Sequence, residues 1–304
     1  MRLSRWGRSP YETAADIQME CDVLSTLVEV LPEGADAEIV VVHSKIPFGE
    51  REHKRAPSLR LLMTTTSGTD HVDLGYCRSV GLKVARLPEA RCHAVVDATI
   101  GMMIWGLRRM GPMQHQAQMG RWVRGDLPTL GPIGLRGGRV GVIGLGVIGR
   151  QVAEVLGVLG AEVWGSDPAG LPSGIREASV TEMMGHCDAV TLHCNLNPSS
   201  IDLISGDRLA SAHPDLVLVN TARGGLVDVP MAMELVRGGR LGALALDVFA
   251  EEPWPQMDST AEFPSVMFLP HAAGYHRGLS RAVRDGLARA VSAFISDEPI
   301  PYLA

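Results

Sequence analysis

The chain has 304 residues, 46% of them hydrophobic, which is enough for two domains with sizeable cores. Its 28 Lys and Arg stand against 34 Asp and Glu, and a net charge of -6 argues against nucleic acid or a membrane surface as partner. Five cysteines, odd in number and without a C-x-x-C pair, suggest neither a disulfide framework nor a zinc site and fit a reducing cytoplasm.

The opening "MRLSRWGRSPYE" is polar and has no apolar leader segment. No convincing first strand is visible in residues 1–37. "EIVVVHS" (38–44), "LRLLMTTT" (59–66) and "LKVAR" (82–86) predict strands. "HVDLGYCRSVG" predicts a helix closed by Gly81. "HAVVDATIGMMIWGLRRM" (93–110) predicts a long helix leading into a second α/β unit. Its apolar run is short and holds Asp97, so it reads as a buried helix, not a membrane span.

"VGVIGLGVIGR" (140–150) reads as a buried strand, a glycine turn and a helix, with Gly144, Gly146 and Gly149 spaced G-x-G-x-x-G. The glycines allow a tight turn and let a pyrophosphate approach the backbone at a helix N-terminus. The next strand, "AEVWGSD", ends in Asp167, eighteen residues after Gly149. An acid there can accept hydrogen bonds from ribose hydroxyls and repels a 2′-phosphate, so NAD is expected over NADP. Further on, Ser179 and Glu182 are spaced as a capping box, and Asp228 with Pro230 marks another helix start. Strands and helices alternate to "VMFLPH", which predicts a parallel, doubly wound sheet. The final helix, "SRAVRDGLARAVSAFI", is expected to return to the first unit, leaving a cleft between two lobes.

"NTARGGLVD", "LDVFAEEP" and "LPHAAGYH" fall at or just after strand C-termini, where ligands bind in such sheets. They carry Arg223, Asp247, Glu252 and His271. An Arg can grip a carboxylate with two parallel bonds, and a His beside a carboxylate can carry a proton near neutral pH.

Together with "TTTSGTDHVDL" and "LRGGRVGVIGLGVIGR", these segments resemble the D-isomer-specific 2-hydroxyacid dehydrogenases, in the family's order over most of residues 59–275. The resemblance implies a Rossmann dinucleotide-binding domain (93–277) inserted into a smaller flavodoxin-like α/β substrate domain (1–92 and 278–304). It implies interconversion of a small-molecule 2-oxo acid and D-2-hydroxy acid with NAD, in a cytoplasmic homodimer joined through residues 93–135. Met102, Met103, Trp105 and Trp122 are the candidate dimer contacts. Arg223 would bind the substrate carboxylate, His271 would be the acid/base, and Glu252 would keep it protonated. His276 is the alternative proton donor. Gly144, Gly146, Val147, Ile148, Gly149, Asp167, Thr221, Ala222, Asp247 and Gly274 would line the cofactor, with Asp247 on the nicotinamide carboxamide.

Ser67, Gly68 and Thr69 would offer backbone N–H groups to the substrate. Arg86 and Arg91 stand where relatives often carry small or amide residues, and Lys45 follows a strand that borders the substrate mouth in relatives. With Arg91 and Lys45 as ligands, these departures imply a second anionic group on the substrate. Two alternatives belong to the same fold: a phosphite- or formate-type dehydrogenase, and an NAD(H)-sensing protein like the corepressors. Formate dehydrogenases pair the His with Gln, where this chain has Glu252.

Overall fold

The computed structural model describes residues 1–9, 11–255 and 263–304. The chain divides into two units, Met1–Cys92 with Tyr275–Ala304, and His93–Gly274.

The first unit begins with β1 (Arg2–Trp6), α1 (Ala14–Leu24), β2 (Glu29–Leu31), β3 (Ile39–Val42) and α2 (Glu50–His53). β4 (Leu61–Thr64), α3 (Leu74–Ser79) and β5 (Lys83–Ala85) follow, and α4 (Glu89–Leu107) carries the chain into the second unit. The strands form one parallel sheet in the order β2-β1-β3-β4-β5, a flavodoxin-like order that reverses between β1 and β3. β3 and β4 are buried at every residue, as expected of strands covered on both faces. Alternate side chains part to opposite sides. Leu3, Ile39, Val41, Leu61 and Met63 pack with Val283, Leu287 and Val291 of α11 (Leu279–Ile295). Trp6, Val40, Val42, Leu62 and Val84 pack with Phe48 and Cys77.

β1 is the strand that hydropathy does not reveal. Its residues 3–6 are buried, yet Ser4 and Arg5 are polar. Burial is possible because each polar group finds a partner. Ser4 Oγ donates to Pro32 O at 2.9 Å. Arg5 Nη2 reaches both Glu12 oxygens at 2.7 and 2.6 Å, and Nη1 donates to Glu20.

In the second unit α4 is followed by α5 (Met110–Gln118), α6 (Leu127–Leu130), β6 (Arg139–Ile143), α7 (Val147–Val158) and β7 (Glu162–Ser166). Next come β8 (Arg176–Glu177), α8 (Val180–His186), β9 (Ala189–Leu192), α9 (Gly206–Ala210) and β10 (Val217–Asn220). α10 (Val229–Arg237), β11 (Ala243–Leu246) and β12 (Val266–Phe268) complete it. All seven strands are parallel, in the order β12-β11-β10-β9-β6-β7-β8, so the order reverses between β6 and β9. The capping box of Ser179 and Glu182 starts α8, and Asp228 accepts from Met231 N at the start of α10. β8 is only two residues long and exposed, too short to show a period in the sequence.

Candidate active site

The glycine turn follows the C-terminal end of β6, an interior strand, at the sheet's point of reversal. Gly144 has φ +88°, and a Cβ on it would stand 2.6 Å from Cys194 N. A Cβ on Gly149 would stand 1.9 Å from Gly144 O. The fold itself therefore demands these two glycines. Gly146 differs: a Cβ there would meet nothing within 4 Å. Its missing side chain leaves open space beside the start of α7, where Gly146 is the N-cap and offers no side-chain acceptor. Val147 and Ile148 are the first residues of that helix. An anion such as a pyrophosphate fits this cradle on both steric and dipolar grounds.

Asp167 follows β7. Its carboxylate accepts from Leu145 N at 2.5 Å and from Ala169 N at 2.7 Å, so it braces the glycine turn. The bond to Leu145 was not foreseen from the motif. It joins two loops that are adjacent only once β6 and β7 pair.

Three strands further on, Asn220 ends β10 and shapes the turn after it. Its Oδ1 accepts from Ala222 N at 3.0 Å and its Nδ2 donates to Arg223 O at 2.8 Å. Thr221 Oγ1 lies 3.0 Å from Thr99 Oγ1 of α4. Arg223 Nη1 donates to Ala222 O at 2.6 Å. Gly224 next to it is required, because a Cβ would stand 1.9 Å from the Phe249 carbonyl carbon.

Asp247 follows β11 directly and is 1% exposed. Its two oxygens accept from Ala272 N and Ala273 N at 2.7 and 3.0 Å, and its own carbonyl accepts from His271 N at 2.8 Å. Burial holds its carboxyl above the ordinary value, against the pull of those two bonds and of His271. Asp247 thus anchors the loop that bears His271 and Gly274. His271 sits at φ +55°, a backbone conformation that non-glycine residues seldom adopt and that clusters at functional sites.

His271 Nδ1 lies 2.8 Å from Glu252 Oε2, and Glu252 Oε1 accepts from Phe249 N at 3.1 Å. The carboxylate holds one ring nitrogen, so Nε2 is the one available to a substrate. The pair is open to solvent, with side chains 52% and 39% exposed. His276 is differently placed. It belongs to the first unit, and its ring nitrogens meet Ala90 O at 2.9 Å and Gly278 N at 3.2 Å, so main-chain groups occupy both.

Ser67, Gly68 and Thr69 follow β4 of the first unit. Their three successive N–H groups meet no acceptor among the described residues. Such a run of free donors suits an anion. Arg91 is half-buried, with Nη1 on Thr65 O, and burial lowers its pKa from the ordinary guanidinium value. Lys45 is exposed, and its main-chain N–H donates to His43 Nδ1 at 3.3 Å.

A parallel sheet with a glycine cradle at its point of reversal, and an acid closing the neighbouring strand, defines a dinucleotide-binding α/β protein. Residues 100–273 match the sequence model of the D-isomer specific 2-hydroxyacid dehydrogenase NAD-binding domain, and the chain belongs to that family, whose cofactor is NAD. It is 30% identical over 253 residues to D-3-phosphoglycerate dehydrogenase of Methanocaldococcus jannaschii, covering 81% of this chain and 47% of that one. It is 27% identical over 281 residues to glycerate dehydrogenase of Methylorubrum extorquens, covering 89% of this chain and 87% of that one. D-lactate dehydrogenase from Aquifex aeolicus, solved with NAD and lactic acid, shares the fold with a TM-score of 0.76 at 22% identity, over 98% of this chain and 96% of that one. The chain spans about half the length of the curated phosphoglycerate dehydrogenases it matches.

Proposed function

We propose that the protein interconverts a 2-oxo acid and a D-2-hydroxy acid with NAD(H). One observation carries this reading. His271, with Nδ1 held by Glu252, stands on the same sheet edge as Arg223 and the glycine cradle. NADH held at the cradle of Gly144, Gly146 and Gly149 would supply the hydride for the carbonyl carbon. His271 gives the proton on Nε2 to the carbonyl oxygen, and Glu252 stabilises the imidazolium until that transfer. The neutral imidazole regains a proton from solvent, to which the pair is open. Arg223 grips the substrate carboxylate and polarises the 2-oxo group, with the N–H groups of Ser67, Gly68 and Thr69 as further donors. Lys45 and Arg91 are the counter-charges proposed for a second anionic group.

The test is a panel of 2-oxo acids with NADH, followed at the nicotinamide absorbance. Turnover of at least one member supports the reading. Tight NADH binding with no member reduced overturns it and leaves an NAD(H)-binding protein.

The protein is further proposed to form a homodimer through α5 and the segment after it. Trp122 is 89% exposed, and Met119 and Met110 are 53% and 43% exposed. Met102 and Met103 are buried at 2% and 0% within the chain itself and do not belong to that surface.

A further inference from the structure

Three arginines, Arg5, Arg86 and Arg91, stand at the carboxyl edge of the first unit's sheet, and Glu12 acts on Arg91 through charge without pairing with it. Arg5 takes up both nearby acids, Glu12 and Glu20. Arg91 and Arg86 have no carboxylate within ion-pair distance among the described residues. Each is instead moored to a main-chain carbonyl of the segment leaving β4, Arg91 to Thr65 O and Arg86 to Ser67 O. His43, just after β3, is favoured in its neutral form by burial and adds no further positive charge. The same segment carries two buried hydroxyls, Thr65 Oγ1 and Ser67 Oγ, without a hydrogen-bond partner. Thr65 is 1% exposed, so that oxygen has no solvent to turn to. Two moored cations and two orphaned hydroxyls on three consecutive residues lack one thing, an oxyanion.

We propose that Arg91, flanked by Arg86 and by the Thr65 and Ser67 hydroxyls, forms a subsite for the far anionic group of a dianionic 2-oxo acid. The group is a carboxylate or a phosphate, which share the oxygen geometry a guanidinium recognises. Of the two counter-charges proposed above, Arg91 is the main determinant, because it is held in place by Thr65 whereas Lys45 is a solvated side chain. The inference rests on the dehydrogenase reading above and assigns its substrate class.

The experiment compares oxaloacetate and 3-phosphohydroxypyruvate with 2-oxobutanoate and hydroxypyruvate, using NADH and native, Arg91→Met and Arg91→Lys protein. The readout is the ratio of kcat/KM between dianionic and monoanionic acids, which is insensitive to partial misfolding. Native protein should favour the dianionic acids. Hydrogen bonds to a charged group of this kind make a difference of about 10–100-fold. Arg91→Met should lower the ratio by that amount, chiefly through KM, and Arg91→Lys should fall between. A native ratio near one, or a ratio unchanged in Arg91→Met, overturns the subsite.

Thermal stabilisation by malonate against propionate separates this failure from failure of the dehydrogenase reading. If no 2-oxo acid is reduced but malonate stabilises native protein and not Arg91→Met, the subsite stands without that chemistry. If malonate stabilises neither, both fall. A carboxylate source is favoured if oxaloacetate leads the panel, and a phosphate source if 3-phosphohydroxypyruvate does.

Discussion

His271 carries the chemistry in this reading, and its surroundings make the prediction sharp. Its Nδ1 is on Glu252, its N–H on Asp247 O, and its backbone is in the left-handed region. His271→Ala should lower reduction by about 10²–10⁴-fold, the usual share of general acid catalysis, while NADH binding measured by fluorescence survives. Activity near native in that variant would show that the proton donor has been misassigned. His276 is a poor substitute, because main-chain groups occupy both its ring nitrogens. Glu252→Gln should retain some activity but lose reduction at a lower pH than native protein, since the imidazolium no longer faces a carboxylate. A pH–rate profile identical to native would reject the pairing. Asp167→Ser should erode the preference for NADH over NADPH. It should also raise the KM for either cofactor, because the glycine turn loses its bond at Leu145 N.

Among the elements, β1 and the turn after β10 are the two whose integrity the site depends on. Arg5 lies inside β1 and serves two carboxylates, which holds it above its ordinary pKa against burial. Glu20 receives only part of that guanidinium, and burial leaves its carboxyl above the ordinary value. The stability it contributes is therefore complete in acid and is lost as the pH rises through the raised value. Arg5→Met should cost about 3–5 kcal/mol in urea unfolding, because it strands two buried acids. Glu20→Gln should cost less and should flatten the decline in stability from weakly acid to neutral pH. A Glu20→Gln variant with the native pH profile would contradict the raised carboxyl. After β10, Gly224→Ala would drive a methyl into the Phe249 carbonyl carbon. About 1–3 kcal/mol of strain is expected, with loss of activity as Arg223 is displaced. Native activity in that variant would mean that Arg223 needs no fixed turn.

For the molecule as a whole, the proposed homodimer predicts a concentration-dependent dimer in sedimentation, weakened by Trp122→Glu. A monomer at all concentrations would refute it. The contrast between Trp122 and Met103 also shows how far sequence reading reaches. Both are candidate dimer contacts by sequence, and only packing separates a 0% from an 89% exposed side chain. The glycine spacing, the acid after β7, the capping box of Ser179 and Glu182 and the runs of apolar strands were legible along the chain, because each is a local rule with a fixed period or offset. The parallel sheets follow from those rules with few alternatives.

β1 was not legible, because its polar residues are tolerated only through Glu12, Glu20 and Pro32, which hydropathy does not connect to it. The roles of Asn220 and Asp247 as braces, and the orphaned hydroxyls beside Arg91, were hidden for the same reason. Each depends on which groups meet across strands and loops far apart in the chain. A hydrogen bond's partner is chosen by the packed fold, whereas a turn, a cap or a strand is chosen by the residues that form it.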